Sequence, residues 1–525
     1  MKYNLQFSFK LRGKFPQNAP EKIEEWLEEL KQMLEKGITE KDLKEISRVK
    51  KWEIVSTSKK EEEFVLSVSS GNTLPPHHAL LRMRKFFSGK FGKEFKLGIS
   101  GIEIKSYKID VDIPRKPEKE FSLPFVSSIK FSDKIAKVTL DKDIPIDFIE
   151  KGAIDRLVKL VRNKVLEEFI RGKDEHHLVI WSSEEKTPLV KTNPTDIMIK
   201  NGWIQRTNYR NQWIFGPAIS AVTEALKEVM VDVLYKPLGF KNMIFPKVVP
   251  WDVWKKSGHL SGLYQGGFEP YFVCTPKTQD SEFWVEIADY YRITLDIEPE
   301  KIMEKLRPPI GGLSYAQCPP FYSYLQGKTI SDDSFPLLIY DWSGPTYRYE
   351  SGAAHGFERV DELHRIETIV IGFPEQVKKA AQDLRMGFRK VIGEILDLEF
   401  REAWVTPWWI SQEGATEKEE EERKEELPKF DQIGTIDFEI YMPYRGSKES
   451  SDWLETQNVS ILGNKYTKSF TVKSQSGKEL WSNCCGGSFE RYISAFIAQK
   501  GIDPKNWPEK FLKYIDEIPS GPTFL

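Results

Sequence analysis

The chain has 525 residues, 40% of them hydrophobic and 30% charged, with a formal charge of -2. That length exceeds one compact core, so at least two domains are expected, and no apolar run approaches the roughly 20 residues that span a bilayer. Four cysteines are too few for a disulfide framework and suit a reducing cytoplasm, where a thiolate serves a metal or fills a core.

The start, Met1-Lys2-Tyr3-Asn4-Leu5, alternates like a strand and lacks the apolar centre of a signal peptide. Glu21 to Glu35 places Ile23, Trp26, Leu27, Leu30, Met33 and Leu34 at helical spacing, with carboxylates between them. Lys51–Val55 and Phe64–Ser69 alternate like paired strands, as do Gly98–Ile109 and Lys134–Leu140. A second helix, His78 to Gly89, carries Arg82, Arg84 and Lys85, followed by Lys90, Lys93 and Lys96. Ile149 to Arg171 reads as one long helix. Residues 1–170 hold 34 Lys+Arg against 27 Asp+Glu, so this part is +7 and the remainder -9. Such a basic module is compatible with nucleic acid. A polar stretch, Gly172 to His177, and a loop rich in Ser, Glu and Thr before Pro194 are expected to form a linker over 172–193, separating a domain of residues 1–171 from one of residues 194–525.

Beyond Pro194 aromatics rise and strand patterns dominate. A helix over Gly216–Tyr235 leads to Met243-Ile244-Phe245-Pro246, a strand whose proline ends its pairing. Arg348 and Glu350 stand two apart on an expected strand and so share a face. There an arginine can clamp a phosphate while a carboxylate accepts from a base amino group. Arg359, in the loop that follows, can reach a terminal phosphate, and a strand over Ile366–Ile371 succeeds it. Taken alone, this segment better describes a solvated, charge-paired hairpin. Trp481 to Arg491 contains Cys484-Cys485-Gly486-Gly487, small residues that admit close approach, read as a turn before a helix whose Arg491 can stack on a base. There is no Walker-type phosphate loop and no GxGxxG fingerprint, so a bound nucleotide would be held by side chains on a sheet.

These three segments, in this order, resemble motifs 1, 2 and 3 of class II aminoacyl-tRNA synthetases. Tyr315-Ala316-Gln317-Cys318-Pro319-Pro320-Phe321, Glu350-Ser351-Gly352-Ala353-Ala354-His355-Gly356, Glu358 to Glu367, and Glu455-Thr456-Gln457-Asn458-Val459-Ser460 are similar to the atypical, methanogen-type seryl-tRNA synthetases. The resemblance covers most of the chain. It implies an α+β fold: a class II antiparallel sheet flanked by helices, with a separate N-terminal α+β tRNA-binding domain and an inserted helix-turn-helix at about 400–430. It further implies ATP-dependent activation of serine and its transfer to tRNA(Ser) by a cytoplasmic homodimer. Within the site it implies one Zn²⁺ on Cys318, Glu367 and Cys484, three protein ligands with a fourth position left for substrate. ATP would be held by Arg348, Glu350, Arg359, Leu363, Glu455 and Arg491, with Arg348 and Arg491 catalytic and Glu455 bridging Mg²⁺. Trp408, Asn458 and Ser460 would shape the serine pocket, and Arg82, Arg84, Lys85, Lys90, Lys93 and Lys96 would grip tRNA phosphates. Cys484 is the residue at the family's second cysteine position; Cys485 is the neighbour most easily mistaken for it.

The chain departs from the family pattern at Ala353, where a glycine is usual, at Leu363, where a phenylalanine lies under adenine, and at Asn483, where a glycine precedes the second cysteine. An acidic run, Glu417 to Glu426, extends the inserted module. These departures leave a second reading open: a synthetase-like paralogue that binds tRNA or another small amino acid without productive adenylation.

Overall fold

The computed structural model describes residues 1–56, 62–117, 120–142, 144–170, 177–209, 211–262, 268–269, 271–277, 282–347, 349–350, 356–405, 432–449 and 453–522. The chain divides into two compact units, Met1–Asp174 and Glu175–Leu525.

In the first unit, β1 (Lys2–Leu11) lies in a mixed-length sheet with β2 (Arg48–Ser56), β3 (Glu62–Ser70), β4 (Ile99–Asp112), β5 (Val126–Phe131) and β6 (Ile135–Leu140). The spatial order is β2-β3-β1-β4-β6-β5, antiparallel at every pairing. Residues alternate along β1, so Leu5, Phe7 and Phe9 reach the core together with Phe64 and Leu66 of β3. Three helices are expected from the sequence, and α1 (Ala19–Glu35) and α2 (Pro76–Lys90) lie close to their expected bounds. The third is shorter than expected. Gly152, at φ +66°, ends a turn of helix at Ile146–Glu150, and α3 (Ala153–Ile170) begins after it. Trp26 of α1 and Phe87 of α2 meet Phe64 and Phe91 in one aromatic cluster that joins helices to sheet.

The second unit is built on a large sheet. Its main path is β8 (Lys241–Asn242), β9 (Leu337–Asp341), β10 (Glu362–Gly372), β14 (Trp481–Ser488), β13 (Leu454–Gly463), β12 (Gly434–Ile440), β11 (Phe400–Val405) and β7 (Leu178–Ser182). The pairings are antiparallel except β8 on β9. The stretch expected as a linker thus contributes an edge strand: Leu178–Ser182 pairs with β11, with a register shift between Glu402 and Ala403.

Helices α4 (Pro217–Val229), α6 (Pro374–Arg389) and α7 (Phe489–Lys500) bury their apolar stripes in a single core with one face of this sheet. A second core, containing Phe245, Trp254, Phe321, Tyr322, Tyr466 and Phe470, covers part of the other face. The centre of β10 is therefore buried on both sides. Ile366 and Val370 turn to the helical core, Ile369 and Ile371 to the second.

Two expectations about local structure change. Met243–Pro246 is not a strand: pairing with β9 stops after Asn242 and one further bond, Met243 N–H to the Tyr340 carbonyl, because Pro246 has no donor and Ile244 turns outward. The glycine-rich Trp481–Ser488 is not a turn but a strand, with the helix starting only at Phe489. Arg348, Gly352, Ala353, Trp408, the inserted 406–431 region and Glu417–Glu426 lie outside the described residues.

A cysteine–carboxylate cluster at the centre of the sheet

In the buried half of β10, residues 366–372, one residue is charged: Glu367, 1% exposed. A carboxylate so deep costs several kcal/mol unless something offsets it. Strand parity sends it to the face of Ile369, opposite Thr368, and across the pairing Ile369↔Cys484 and Glu367↔Gly486 put Cys484 on that same face. Cys485 pairs with Thr368 and joins the helical core, so adjacent cysteines serve opposite sides of one strand. Cys318 reaches the cluster from the first turn of α5 (Cys318–Leu325), where Pro319 and Pro320 fix the helix entry.

One ligand atom from each of Cys318, Glu367 and Cys484 lies within 4.8 Å of the others. The Cys484 thiol donates to Glu367 Oε1 at 2.7 Å, while the Gln317 N–H donates to Oε2 at 3.0 Å. Arg365 Nη2 stands 3.3 Å from the same Oε2. The thiol of Cys484 is pushed well above the usual range by its bond with Cys318 and by burial. Cys318 is also raised; its bond with Cys484 lowers it, but burial and the Glu367 charge outweigh that effect. A buried thiol, a half-buried thiol and a buried carboxylate facing one point form a soft donor set of the kind a zinc-class ion binds by displacing both thiol protons.

A second layer holds this set in place. Gln317 Nε2 donates to Asp341 Oδ2 at 2.8 Å, and Lys247 Nζ meets the same oxygen at 3.2 Å. Asp341 is Glu367's cross-strand partner on β9. The Arg365 guanidinium lies over β14 where Gly486 has no side chain; a Cβ there would come within 1.6 Å of Nη2. None of Gln317, Asp341, Lys247 and Arg365 was singled out by the sequence. Gln317 and Arg365 flank expected ligands at one and two residues, and that adjacency was the available signal.

Other expected site residues fall along neighbouring strands. Asn458 and Ser460 on β13 share the Cys484 face: Ser460 pairs with Cys484, and Asn458 Oδ1 accepts the Gly486 N–H at 2.8 Å. The Ser460 hydroxyl is spent on Thr435 Oγ1 at 2.8 Å and is 2% exposed. Arg491, in the first turn of α7, bonds Glu455 through Nη1, to Oε2 at 3.0 Å and to the carbonyl at 3.1 Å. Leu363 is buried near the start of β10, and Arg359 is half-buried just ahead of it. For Glu350 the backbone is described, paired with Phe268, but not the side chain. In the first unit Arg82, Arg84, Lys85, Lys93 and Lys96 are exposed on and beyond α2. Lys90 is half-buried and pairs with Glu29.

Over its whole length the chain is 42% identical to the type-2 serine–tRNA ligase of Methanococcoides burtonii, covering 100% of both proteins. The chain belongs to the type-2 serine–tRNA ligase family. A second relative, from Methanothrix thermoacetophila, is 38% identical, again with 100% of each chain covered. Residues 1–163 match the tRNA-binding domain family, which accounts for most of the first unit. Among solved structures, M. kandleri SerRS, crystallised in complex with A. aeolicus tRNASec, superimposes with a TM-score of 0.74 at 26% identity. That match covers 100% of this chain and 99% of the other, so the class II α+β architecture and its N-terminal domain extend across the full sequence.

Proposed function

We propose that the chain activates serine with ATP as seryl-adenylate and transfers the seryl group to tRNA(Ser), using a zinc ion on Cys318, Glu367 and Cys484. The observation that carries this reading is the convergence of three ligand atoms from three distant segments, within 4.8 Å, in a member of the type-2 serine–tRNA ligase family. A zinc ion there would supply an open fourth position for the serine amino group.

The chain's own residues account for the rest. Asn458 and Ser460, on the same sheet face as Cys484, would shape the serine pocket beside the donor set, together with Trp408. Arg491 and Glu455, already hydrogen-bonded, bring a planar cation and a carboxylate together at the end of the sheet. They suit a nucleotide base and a Mg²⁺–phosphate unit, with Arg348, Glu350 and Arg359 as the remaining ATP contacts. The serine carboxylate attacks the α-phosphorus and pyrophosphate leaves; a tRNA ribose hydroxyl then attacks the acyl carbon and AMP leaves. Positioning and charge stabilisation suffice for both steps, with no covalent enzyme intermediate.

Two of the family departures fit the fold without touching the donor set. Leu363 keeps a buried apolar side chain, and Asn483 turns away and donates to the Ser460 carbonyl at 2.9 Å. The test is amino-acid-dependent ATP–pyrophosphate exchange over all twenty amino acids, with zinc measured on the same preparation. Serine-dependent exchange with one zinc per chain is expected; exchange with a different amino acid, or none with any, refutes the reading. A homodimer is expected, with light scattering giving about twice the 61.0 kDa chain mass.

A further inference from the structure

The first unit contains a second convergence of ligand atoms. Among the described residues it is the other group of three whose donors lie within 4.8 Å of one another: His77, His78 and Asp155. We propose that these three residues form a binding site for a divalent transition ion of the zinc class, tying α2 to α3.

The geometry is specific. Consecutive residues on a helix point about 100° apart, so adjacent histidines do not ordinarily serve one point. Here Asp155, in the first turn of α3, stands between them: His77 Nε2 lies 3.0 Å from Oδ1 and His78 Nε2 lies 2.9 Å from Oδ2. The two imidazole centroids are 4.4 Å apart. Zinc with nitrogen and oxygen ligands at about 2.0–2.1 Å has tetrahedral ligand–ligand edges of about 3.3 Å. Small side-chain shifts would therefore convert these hydrogen-bond separations into a coordination edge.

The surroundings resemble those of a ligand set. His77 is buried and fixed from behind, its Nδ1 2.6 Å from the buried Tyr107 hydroxyl. Without metal, a neutral His77 donates Nε2–H to Asp155 while Nδ1 accepts from the Tyr107 hydroxyl; an ion on Nε2 would select the other tautomer, with Nδ1–H donating to that same oxygen, the outer-sphere arrangement of a ligating histidine. Burial favours the neutral form of His77, and hydrogen bonds from His77 and then His78 keep Asp155 ionised. On the other side the site is open: the His78 and Asp155 side chains are 50% and 49% exposed, leaving an entry path and positions for water. Two imidazoles and a carboxylate, without thiolate, select zinc, cobalt or nickel ions over magnesium or calcium. The ion would brace α2, which carries Arg82, Arg84 and Lys85, against α3.

This inference does not depend on the catalytic reading, and cobalt(II) separates the two sites. The full-length protein, stripped of metal, would be titrated with Co²⁺. The cysteine site gives a near-ultraviolet thiolate charge-transfer band, whereas the histidine site gives only visible ligand-field absorption. Wild type should bind one more equivalent than H78A, with the charge-transfer band equal in both. C318A should lose that band and keep the histidine equivalent. Y107F, which retains the buried ring, should weaken the histidine equivalent by about 10-fold or more. Equal stoichiometry in wild type and H78A, with matching melting curves in the absence of metal, would overturn the site: the three residues would then be a hydrogen-bonded staple alone.

Discussion

Gly486→Ala should uncouple the site from the fold that carries it. The added Cβ would sit 1.6 Å from Arg365 Nη2 and 2.7 Å from Cζ. Ordinary contact begins near ~3.5 Å, so the guanidinium must retreat by about 2 Å. Arg365 now stands 3.3 Å from Glu367 Oε2. With an effective dielectric of about 20, that pair is worth about 5 kcal/mol; withdrawn by about 2 Å it is worth about 3 kcal/mol. The difference of about 2 kcal/mol is a factor of about 30 in whatever equilibrium uses an ordered Glu367. The kcat/KM for serine in pyrophosphate exchange should therefore fall by up to about 30-fold, because Glu367 loses the partner that orients it; the backbone stays in place because a long side chain yields instead. Gly487→Ala is the matched control. Its Cβ would meet Gln457 Oε1 at 2.1 Å and Tyr492 Cε2 at 3.2 Å on the helical face, so it should cost stability first, about 1–3 kcal/mol. Exchange by Gly486→Ala within about 3-fold of wild type, with normal zinc content, would refute the role given to Arg365.

Cys484→Ala should lose bound zinc and serine-dependent exchange, whereas Cys485→Ala should keep both and lose only core packing; full zinc in Cys484→Ala would reverse that assignment. Charge reversal at Arg82, Lys85 and Lys93 should reduce the slope of log affinity for tRNA against log salt by about one per lost phosphate contact, and an unchanged slope would move the tRNA surface elsewhere. His259, packed between Tyr315 and Tyr466, has its pKa lowered to about 3 by burial and then by Lys465 and Arg365. The unfolded chain takes up this proton near pH 6.5 and the folded chain only near 3, so the contribution is intact above pH 6.5 and falls as pH drops through that window. At pH 5 wild type should have lost about 2 kcal/mol more than His259→Gln in denaturant melts, relative to pH 7; parallel pH profiles would refute the neutral histidine.

Much of the fold was legible because period and burial agree. The apolar spacing of Ile23, Trp26, Leu30 and Leu34 could serve only a helix with one buried stripe, and all four are buried. The failures arose where one residue overrode a pattern. Gly152 splits a periodic helix without disturbing the apolar spacing on either side, so the periodicity alone does not show the break. Leu178–Ser182 is a short run of β-forming residues (Leu-Val-Ile-Trp) between polar segments, and which sheet edge it pairs with is set by the large sheet and not by any local signal.

The candidate site was harder to read for a different reason. Its donors come from an α-helix and two strands, with Glu367 and Cys484 separated by 117 positions, so no spacing rule connects them. Family resemblance supplied the residues, but not why one of two adjacent cysteines belongs to the cluster. Strand parity supplies that reason. Once Trp481–Ser488 is a strand in register with Glu362–Gly372, Cys484 must share the face of Glu367 and Cys485 must leave it. The same parity explains the two glycines. Gly486 follows Cys484 by two and so stands on the cluster face, where Arg365 occupies the missing side chain's space; Gly487 stands on the other, beneath Gln457 and Tyr492. A run that reads as a turn because it is rich in small residues is instead a strand crowded on both faces. The crowding, not flexibility, is what requires the small residues.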